Sequence, residues 1–505
     1  MTTLLPPLIA IVSAIVSGRV VGPLLIGIAV GIIGFHPMGS VPAVASEVVI
    51  DAVFSRDHLL ALLFSVALGA MVGVLERGAA LRNVLESVAR RIRTREGAMR
   101  LIAGSGLALF FDDYANTLLV GGGTRSTADR YGISREKLAF LVDATSAPLA
   151  GLSVISTWAA LEISYMADGL AMAGFERDRG FELFLRSTPY RYYPILTLVF
   201  VAAVVITGRD YGPMRRAEAD ALHGGVDGEP DVAPEAAGFV AAAVAAGPVA
   251  VTLVVTLAAL VVTGGGRLSA GDSYVALSWG GVAGLIVAAV GHRWCGFAST
   301  SDVVGGAAAG AKQMLTAMAI LWCAWALSDV TSRIGTDDYL TSWVEASVSP
   351  LVLPPAVFVI AAVTAFCTGT SFGAMGLLMP LSIAAAVPLA SGTDDPVTAT
   401  ITLATCGSVL AGAIMGDHCS PISDTTVLSS RASGCDHLAH VRTQMPYALT
   451  IGAVSIAMLS ALPFGMNWAG GLGVGGLLLF AVVRLVGRRP SLRRQSAEHD
   501  VEDRG

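Results

Sequence analysis

Apolar residues along this chain fall into runs about as long as a bilayer is thick, and the charges gather between them. The runs lie at 4–17, 20–35, 59–75, 99–111, 138–152, 155–173, 192–207, 237–263, 274–291, 303–328, 351–366, 373–390, 398–415, 446–463 and 468–486. A helix that crosses the hydrocarbon core needs roughly 20 apolar residues. The pattern therefore predicts an all-α polytopic membrane protein. Several runs are too short to cross and are flanked by glycine and polar residues, as broken helices and re-entrant hairpins are. The expectation is about 11 to 13 crossings.

The polar stretches divide the chain. The longest, 209–236, is acidic and rich in Gly and Pro, and reads as a linker between transmembrane halves at 1–208 and 237–486. Residues 487–505 end in mixed charge and read as a disordered tail. Arginines crowd the loop after the third run (Arg77, Arg82, Arg90, Arg91, Arg93, Arg95 and Arg100) and the C-terminal end (Arg484, Arg488, Arg489, Arg493, Arg494 and Arg504). Both segments should be cytoplasmic, which predicts a multi-pass protein of the inner membrane. The first run lacks a basic n-region and continues into the second across Arg19, so no cleaved signal is expected.

Composition narrows the function. Only 14% of the 505 residues are charged, against about 25% in soluble domains. The net charge of −6 gives no sign of a nucleic-acid partner. Six cysteines form no CxxC pair and read as small buried hydrophobes. No H-E-x-x-H or G-x-S-x-G occurs, and Gly121–Gly123 lacks P-loop spacing. The reading is a protein that is no enzyme, uses no cofactor and draws its energy from ion gradients.

Two regions break the apolar pattern in the same order. FFDDYANTLLVGGGTRS (110–126) precedes LVDATSAPLAGLSVISTW (141–158), and FCTGTSFGAMGLLMP (366–380) precedes GSVLAGAIMGDHCSPISDTTVLSS (407–430). Each pair opens with a polar cluster and ends in S-x-I-S, at Ser153–Ser156 and Ser420–Ser423. This order predicts two inverted repeats whose discontinuous helices meet near the midplane. Pro148, Gly151, Gly369, Gly416 and Pro421 suit the interruptions.

The carboxylates within these breaks are Asp112, Asp113, Asp143, Asp417 and Asp424. An ionised group at mid-membrane costs about 2.5 to 3.5 kcal/mol on insertion scales, so it faces a cavity or a partner. Asn116, Thr145, Ser146, Ser153, Ser156 and Thr157 surround them in the first half. Thr368, Thr370, Ser371, Ser420, Ser423, Thr425 and Thr426 do so in the second. Such oxygens suit sodium, a hard cation. Desolvation penalises a bare carboxylate, so it takes either a proton or a metal cation. Proton-coupling candidates are Asp143, Asp417, Asp112 and His418. Asp112, Asp113 and Asp424 equally suit helix capping. His418 suits packing or proton relay better than a metal site, since adjacent Asp417 and Cys419 cannot converge on one ion. Trp158 and Glu162 follow the first S-x-I-S and read as closing the cavity or marking an interface.

GDHCSPISDTTVLSS (416–430) closely resembles the signature of NhaC-type sodium/proton antiporters. FDDYANTLLVGG (111–122), ISREKLAFLVDATSAPLAGLSVISTW (133–158) and TGTSFGAMGLLMP (368–380) resemble further blocks of that family, over about 4–460 in all. The resemblance implies inverted repeats, hairpins, elevator-like alternating access and antiport without an organic cofactor. The family's signature positions fall here on Asp112, Asp113, Asn116, Asp143, Thr370, Ser371, Asp417, His418, Ser420, Ser423 and Asp424. Related members exchange malate and lactate, which leaves a second reading open: a sodium- or proton-coupled exchanger of small organic acids or amino acids. A carboxylate substrate would need a cation, and Arg125 and Lys312 are the nearby candidates. The partners expected are sodium, protons and the lipid bilayer, with a small organic solute and a homodimer left open.

Overall fold

The computed structural model describes residues 2–223, 238–266, 271–336 and 349–490. Most of the expected linker (224–236) and of the expected tail (491–505) lies outside these. Among the described residues the chain is helical without strands. Among the described residues eight spans are long and apolar enough to cross a bilayer, Thr300–Arg333 taken as one, or nine if Arg177–Tyr190 and Tyr192–Thr207, bent by 43°, form one span. Four shorter apolar helices accompany them. Runs 99–111, 138–152 and 155–173 are absent from that set; their helices are only 14, 16 and 14 residues long.

The chain opens with α1 (Leu5–Ser17), α2 (Val21–Phe35) and α3 (Val41–Phe54), then α4 (Arg56–Arg77) and α5 (Ala79–Ala89). The third of these was not among the expected runs; Glu47 and Asp51 disguise it. After a short turn come α6 (Arg95–Ala108), α7 (Asp113–Arg130), α8 (Arg135–Ala150) and α9 (Ala159–Met172). Then follow α10 (Gly180–Ser187), α11 (Tyr192–Thr207) and α12 (Gly212–His223). The next group is α13 (Phe239–Thr263), α14 (Ser273–Trp294), α15 (Thr300–Gln313) and α16 (Leu315–Arg333); the last two split the expected run 303–328 at Met314. The chain continues through α17 (Leu353–Thr368), α18 (Ser371–Leu389), α19 (Thr400–Cys419) and α20 (Asp424–Ser433) to α21 (His437–Ala461) and α22 (Trp468–Leu485).

One bundle is formed by α4, α13, α14 and α15. Its closest approach is made by glycines: a Cβ on Gly73 would lie 2.1 Å from the Gly306 carbonyl, and one on Gly310 1.9 Å from that of Gly69. Small residues let helix backbones touch where lipid offers no hydrophobic drive.

The polar breaks form the second body. In the first half, α6 and α7 flank one break and α8 and α9 another. In the second half, α17 and α18 flank one, and α19 and α20 another. Both S-x-I-S segments sit in the second break of their half. The Thr157 N–H, just after Ser156, donates to the Phe111 carbonyl at 3.1 Å. The Asp424 N–H, just after Ser423, donates to the Gly369 carbonyl at 3.3 Å. Thus the residue after each S-x-I-S is tied to the residue before the cap of the neighbouring hairpin helix. The second arm of each broken helix then crosses to the other half, α9 onto α18 and α20 onto α7 and α8.

Part of the stretch read as a linker is structured. Helix α12 packs on α8 and α21. Buried Asp210 pairs with buried Lys137 of α8 and accepts from the Tyr447 hydroxyl at 2.7 Å. Glu218 pairs with Arg95 and accepts from the Ser134 N–H at 2.8 Å. The backbone of Arg488 pairs with that of Asp210. So the first residues of the expected tail are anchored, and both arginine-rich segments meet on one face.

Candidate functional site

Local capping sets the frame. Asp112 caps α7, its Oδ1 accepting from the Ala115 N–H at 2.7 Å. Ser423, not Asp424, caps α20, accepting from the Thr426 N–H at 3.3 Å. Helix α17 ends at Gly369 with φ +69°, where a Cβ would lie 2.5 Å from the Ile422 carbonyl. That left-handed turn lets the two breaks of the second half touch. Gly416, expected at an interruption, lies inside α19, where a Cβ would meet the Ala362 carbonyl at 2.1 Å. It serves close helix packing on α17 rather than a break.

Asp143 on α8 and Asp417 on α19 are fully buried, each 0% exposed. Thr426 joins them: its Oγ1 lies 3.4 Å from Asp143 Oδ2 and donates to the Asp417 carbonyl at 3.2 Å. Asp143 Oδ2 also accepts from Gln444 Nε2 at 2.6 Å and lies 3.4 Å from His440 Nε2. Asp417 Oδ2 accepts from the Thr425 hydroxyl at 2.7 Å. Gln444 donates as well to the His418 carbonyl at 3.0 Å, and the His418 ring meets the Tyr193 hydroxyl at 3.0 Å. Carboxylates from opposite halves thus share one polar cluster.

A second acidic group adjoins it. Asp424 Oδ2 accepts from the Tyr114 hydroxyl at 2.6 Å. Asp424 acts electrostatically on both Asp417 and Asp113, and Asp112 acts on Asp113. Asp143 Oδ1, Asp417 Oδ1, Asp112 Oδ2 and both Asp113 oxygens are buried without a hydrogen-bond partner among the described residues. Leaving buried charged oxygens unmatched costs free energy that a cation or a proton removes. Among the described residues no three His, Cys, Asp or Glu side chains are arranged to hold a metal ion. The donors that do converge are carboxylate, hydroxyl and amide oxygens, a set suited to a transient hard cation.

Most of the other expected hydroxyls serve the backbone. Ser146 donates to the Asp143 carbonyl, Ser156 to Ala150, Ser371 to Ala413 at 3.3 Å and Ser420 to Phe366. Ser153 bonds to the Ile155 backbone within its own break. Thr370 flanks α18 without a side-chain cap bond. Asn116 donates to the carbonyls of Gly106, Leu109 and Thr145, tying α7 to α6 and α8, while its own carbonyl oxygen is unmatched. Trp158 packs on Phe372 with ring centres 4.7 Å apart.

Sequence reading missed His440, Gln444, Tyr114 and Tyr193. His440 and Gln444 stand four apart in a membrane helix, a spacing that marks one polar face. It also missed Arg191, which is fully buried, donates to the Gly151 carbonyl and pairs with Glu162 at 2.8 Å. Arg125 instead donates to the carbonyls of Arg431 and Ala432, at the end of α20, and Lys312 is exposed.

Fold and site together define a multi-pass membrane transporter built on broken helices. The chain belongs to the Na+/H+ antiporter family, whose model matches residues 149–464. An uncharacterized protein of Haemophilus influenzae is 29% identical over 506 residues, covering 96% of this chain and 95% of its own. The arginine/ornithine antiporter ArcD of Halobacterium salinarum is 35% identical over 131 residues, 24% of this chain and 26% of its own. Among solved structures, the YdaH transporter of Alcanivorax borkumensis superposes with a TM-score of 0.55 at 16% identity. It covers 83% of this chain and 88% of that one, a likeness of fold.

Proposed function

We propose that this protein exchanges sodium for protons across the cell's inner membrane, with Asp143 and Asp417 holding the two ions in alternation. The observation that carries the proposal is the meeting of two fully buried aspartates, one from each half: Thr426 lies between the Asp143 carboxylate and the Asp417 backbone carbonyl, Thr425 holds the Asp417 carboxylate, and Asp143 acts electrostatically on Asp417. Each keeps one oxygen without a partner among the described residues. In a low-dielectric pocket such a pair holds a sodium ion or takes up protons, and the two occupancies exclude each other. Thr425, Thr426 and Ser423 bring hydroxyl oxygens to the same place. Asp113 and Asp424, with Tyr114 between the halves, form the neighbouring station through which the ion enters or leaves. His418, joined to Tyr193, and Asp112 remain the proton-coupling candidates beside them. The paired breaks support alternating access, in which one repeat moves against the rest.

The test is transport in proteoliposomes loaded with a pH-sensitive dye. Sodium, lithium, potassium, malate, lactate and arginine are added in turn. Arginine belongs in the series because the halobacterial relative is named for arginine/ornithine exchange. Sodium-driven proton movement that is lost in Asp143→Asn and Asp417→Asn supports the proposal. A response to an organic solute without one to sodium overturns it.

A further inference from the structure

Where α11 and α22 end on the arginine-rich face, a cleft of about 560 Å³ opens between them and the first turn of α12. Arg215 and Arg216 of α12 and Arg488 line it, with Tyr211 and Val486. All three arginines are exposed, and among the described residues no carboxylate pairs with them. Two carboxylates close to this face are already engaged: Asp210 holds Lys137 and Glu218 holds Arg95.

The cleft is held in shape from within. Arg209 donates to the carbonyls of Arg484 and Gly487 at 2.6 and 3.2 Å. Arg489 donates to the Thr207 carbonyl at 3.2 Å. The Asp210–Arg488 backbone bridge, with N–O distances of 3.0 and 2.9 Å, fixes Arg488 beside α12. Beside the cleft, at the ends of α11 and α22, Ile206, Leu485 and Val486 are 66%, 82% and 60% exposed, a surface suited to acyl chains. Exposed arginines that pair with no carboxylate among the described residues, next to an exposed apolar rim, match a molecule with an anionic head and a hydrocarbon body.

We propose that this cleft binds the phosphodiester headgroup of an anionic membrane phospholipid, with Arg215, Arg216 and Arg488 as its ligands. The contrary account is that these arginines only orient the chain during insertion. It predicts no lipid preference in the folded protein. The same phosphate chemistry is offered by free phosphate, so both sources are tested.

The experiment is native mass spectrometry of the full-length protein in detergent, titrated with phosphatidylglycerol, phosphatidylcholine or inorganic phosphate. The variants are Arg215→Gln/Arg216→Gln, Arg488→Gln and, as a control elsewhere on the same face, Arg91→Gln/Arg93→Gln. The proposal expects phosphatidylglycerol to bind more tightly than phosphatidylcholine. It expects that preference to fall roughly fivefold for each cleft arginine removed and to persist in the control. A preference equal in all variants, or binding of inorganic phosphate without any preference for phosphatidylglycerol, overturns it. Melting temperatures within a degree or two of the parent verify that the cleft variants are folded.

Discussion

Replacing Asp143 by asparagine removes one charge from the shared cluster while keeping its shape. The new side chain can still accept from Gln444, now 2.6 Å from Asp143 Oδ2, so the helices have no reason to part. The loss is electrostatic. A unit charge about 4 Å from a bound cation is worth about 4 kcal/mol at an effective dielectric of 20. That corresponds to roughly a thousandfold weaker sodium binding. Thr426→Val tests the same argument from the other side. It leaves both charges and removes one hydroxyl, which donates to the Asp417 carbonyl at 3.2 Å and lies 3.4 Å from Asp143 Oδ2. A hydroxyl so placed contributes about 1 kcal/mol, so sodium half-saturation should rise only about fivefold. The assay is sodium-driven proton flux in dye-loaded proteoliposomes over a range of sodium concentrations, with thermal melting as the control for folding. Asp143→Asn that transports at more than a tenth of the parent rate at low sodium refutes the reasoning. So does Thr426→Val that is as damaging as Asp143→Asn.

Three further outcomes follow from the packing and the loops. Gly310→Ala places a methyl group against the Gly69 carbonyl and should lower stability by about 1 to 3 kcal/mol, whereas Gly104→Ala, which meets nothing within 4 Å, should be neutral or mildly stabilising in the same melting experiment. Asp210→Ala strands the buried Lys137 ammonium and the Tyr447 hydroxyl; it should cost about 3 to 5 kcal/mol, and adding Lys137→Met should recover much of that, as a double-mutant cycle will report. Asp395, in the loop between α18 and α19, is held at about 2 by hydrogen bonds from Arg179. Its pKa is depressed, so its contribution is complete above the unfolded value near 4 and is lost as pH falls through about 2. In this partly exposed pair the effect stays below about 1 kcal/mol, and Arg179→Gln should abolish that pH dependence of melting.

Much of the candidate site was legible because ionisable residues are so costly in a membrane run that each one stands out. Asp143 and Asp417 could be picked from apolar surroundings, and the two S-x-I-S segments marked breaks that the structure places in matching positions. Hydroxyls were harder to read. Ser146 satisfies a carbonyl of its own helix, as serines in membrane helices do, while Ser156, Ser371 and Ser420 bond carbonyls farther along the chain, and one dimension does not distinguish either use from ion binding. Nor could the linear pattern tell a glycine at a break from one at a close approach, as Gly369 and Gly416 show.

The sequence by itself determined the membrane class, because span length and the price of burying charge act on each segment separately. It also determined the breaks, since glycine, proline and capping residues act within a few positions. Only the tertiary structure decided which charges lie together. Asp143 and Asp417 stand at different distances from their S-x-I-S motifs, ten residues and three, so the repeat does not pair them. They meet because α20 crosses to α7 and α8, bringing Thr426 between them while α21 supplies His440 and Gln444. Those contacts span some 280 to 300 residues, and burial of whole helix faces, rather than any local preference, brings them together.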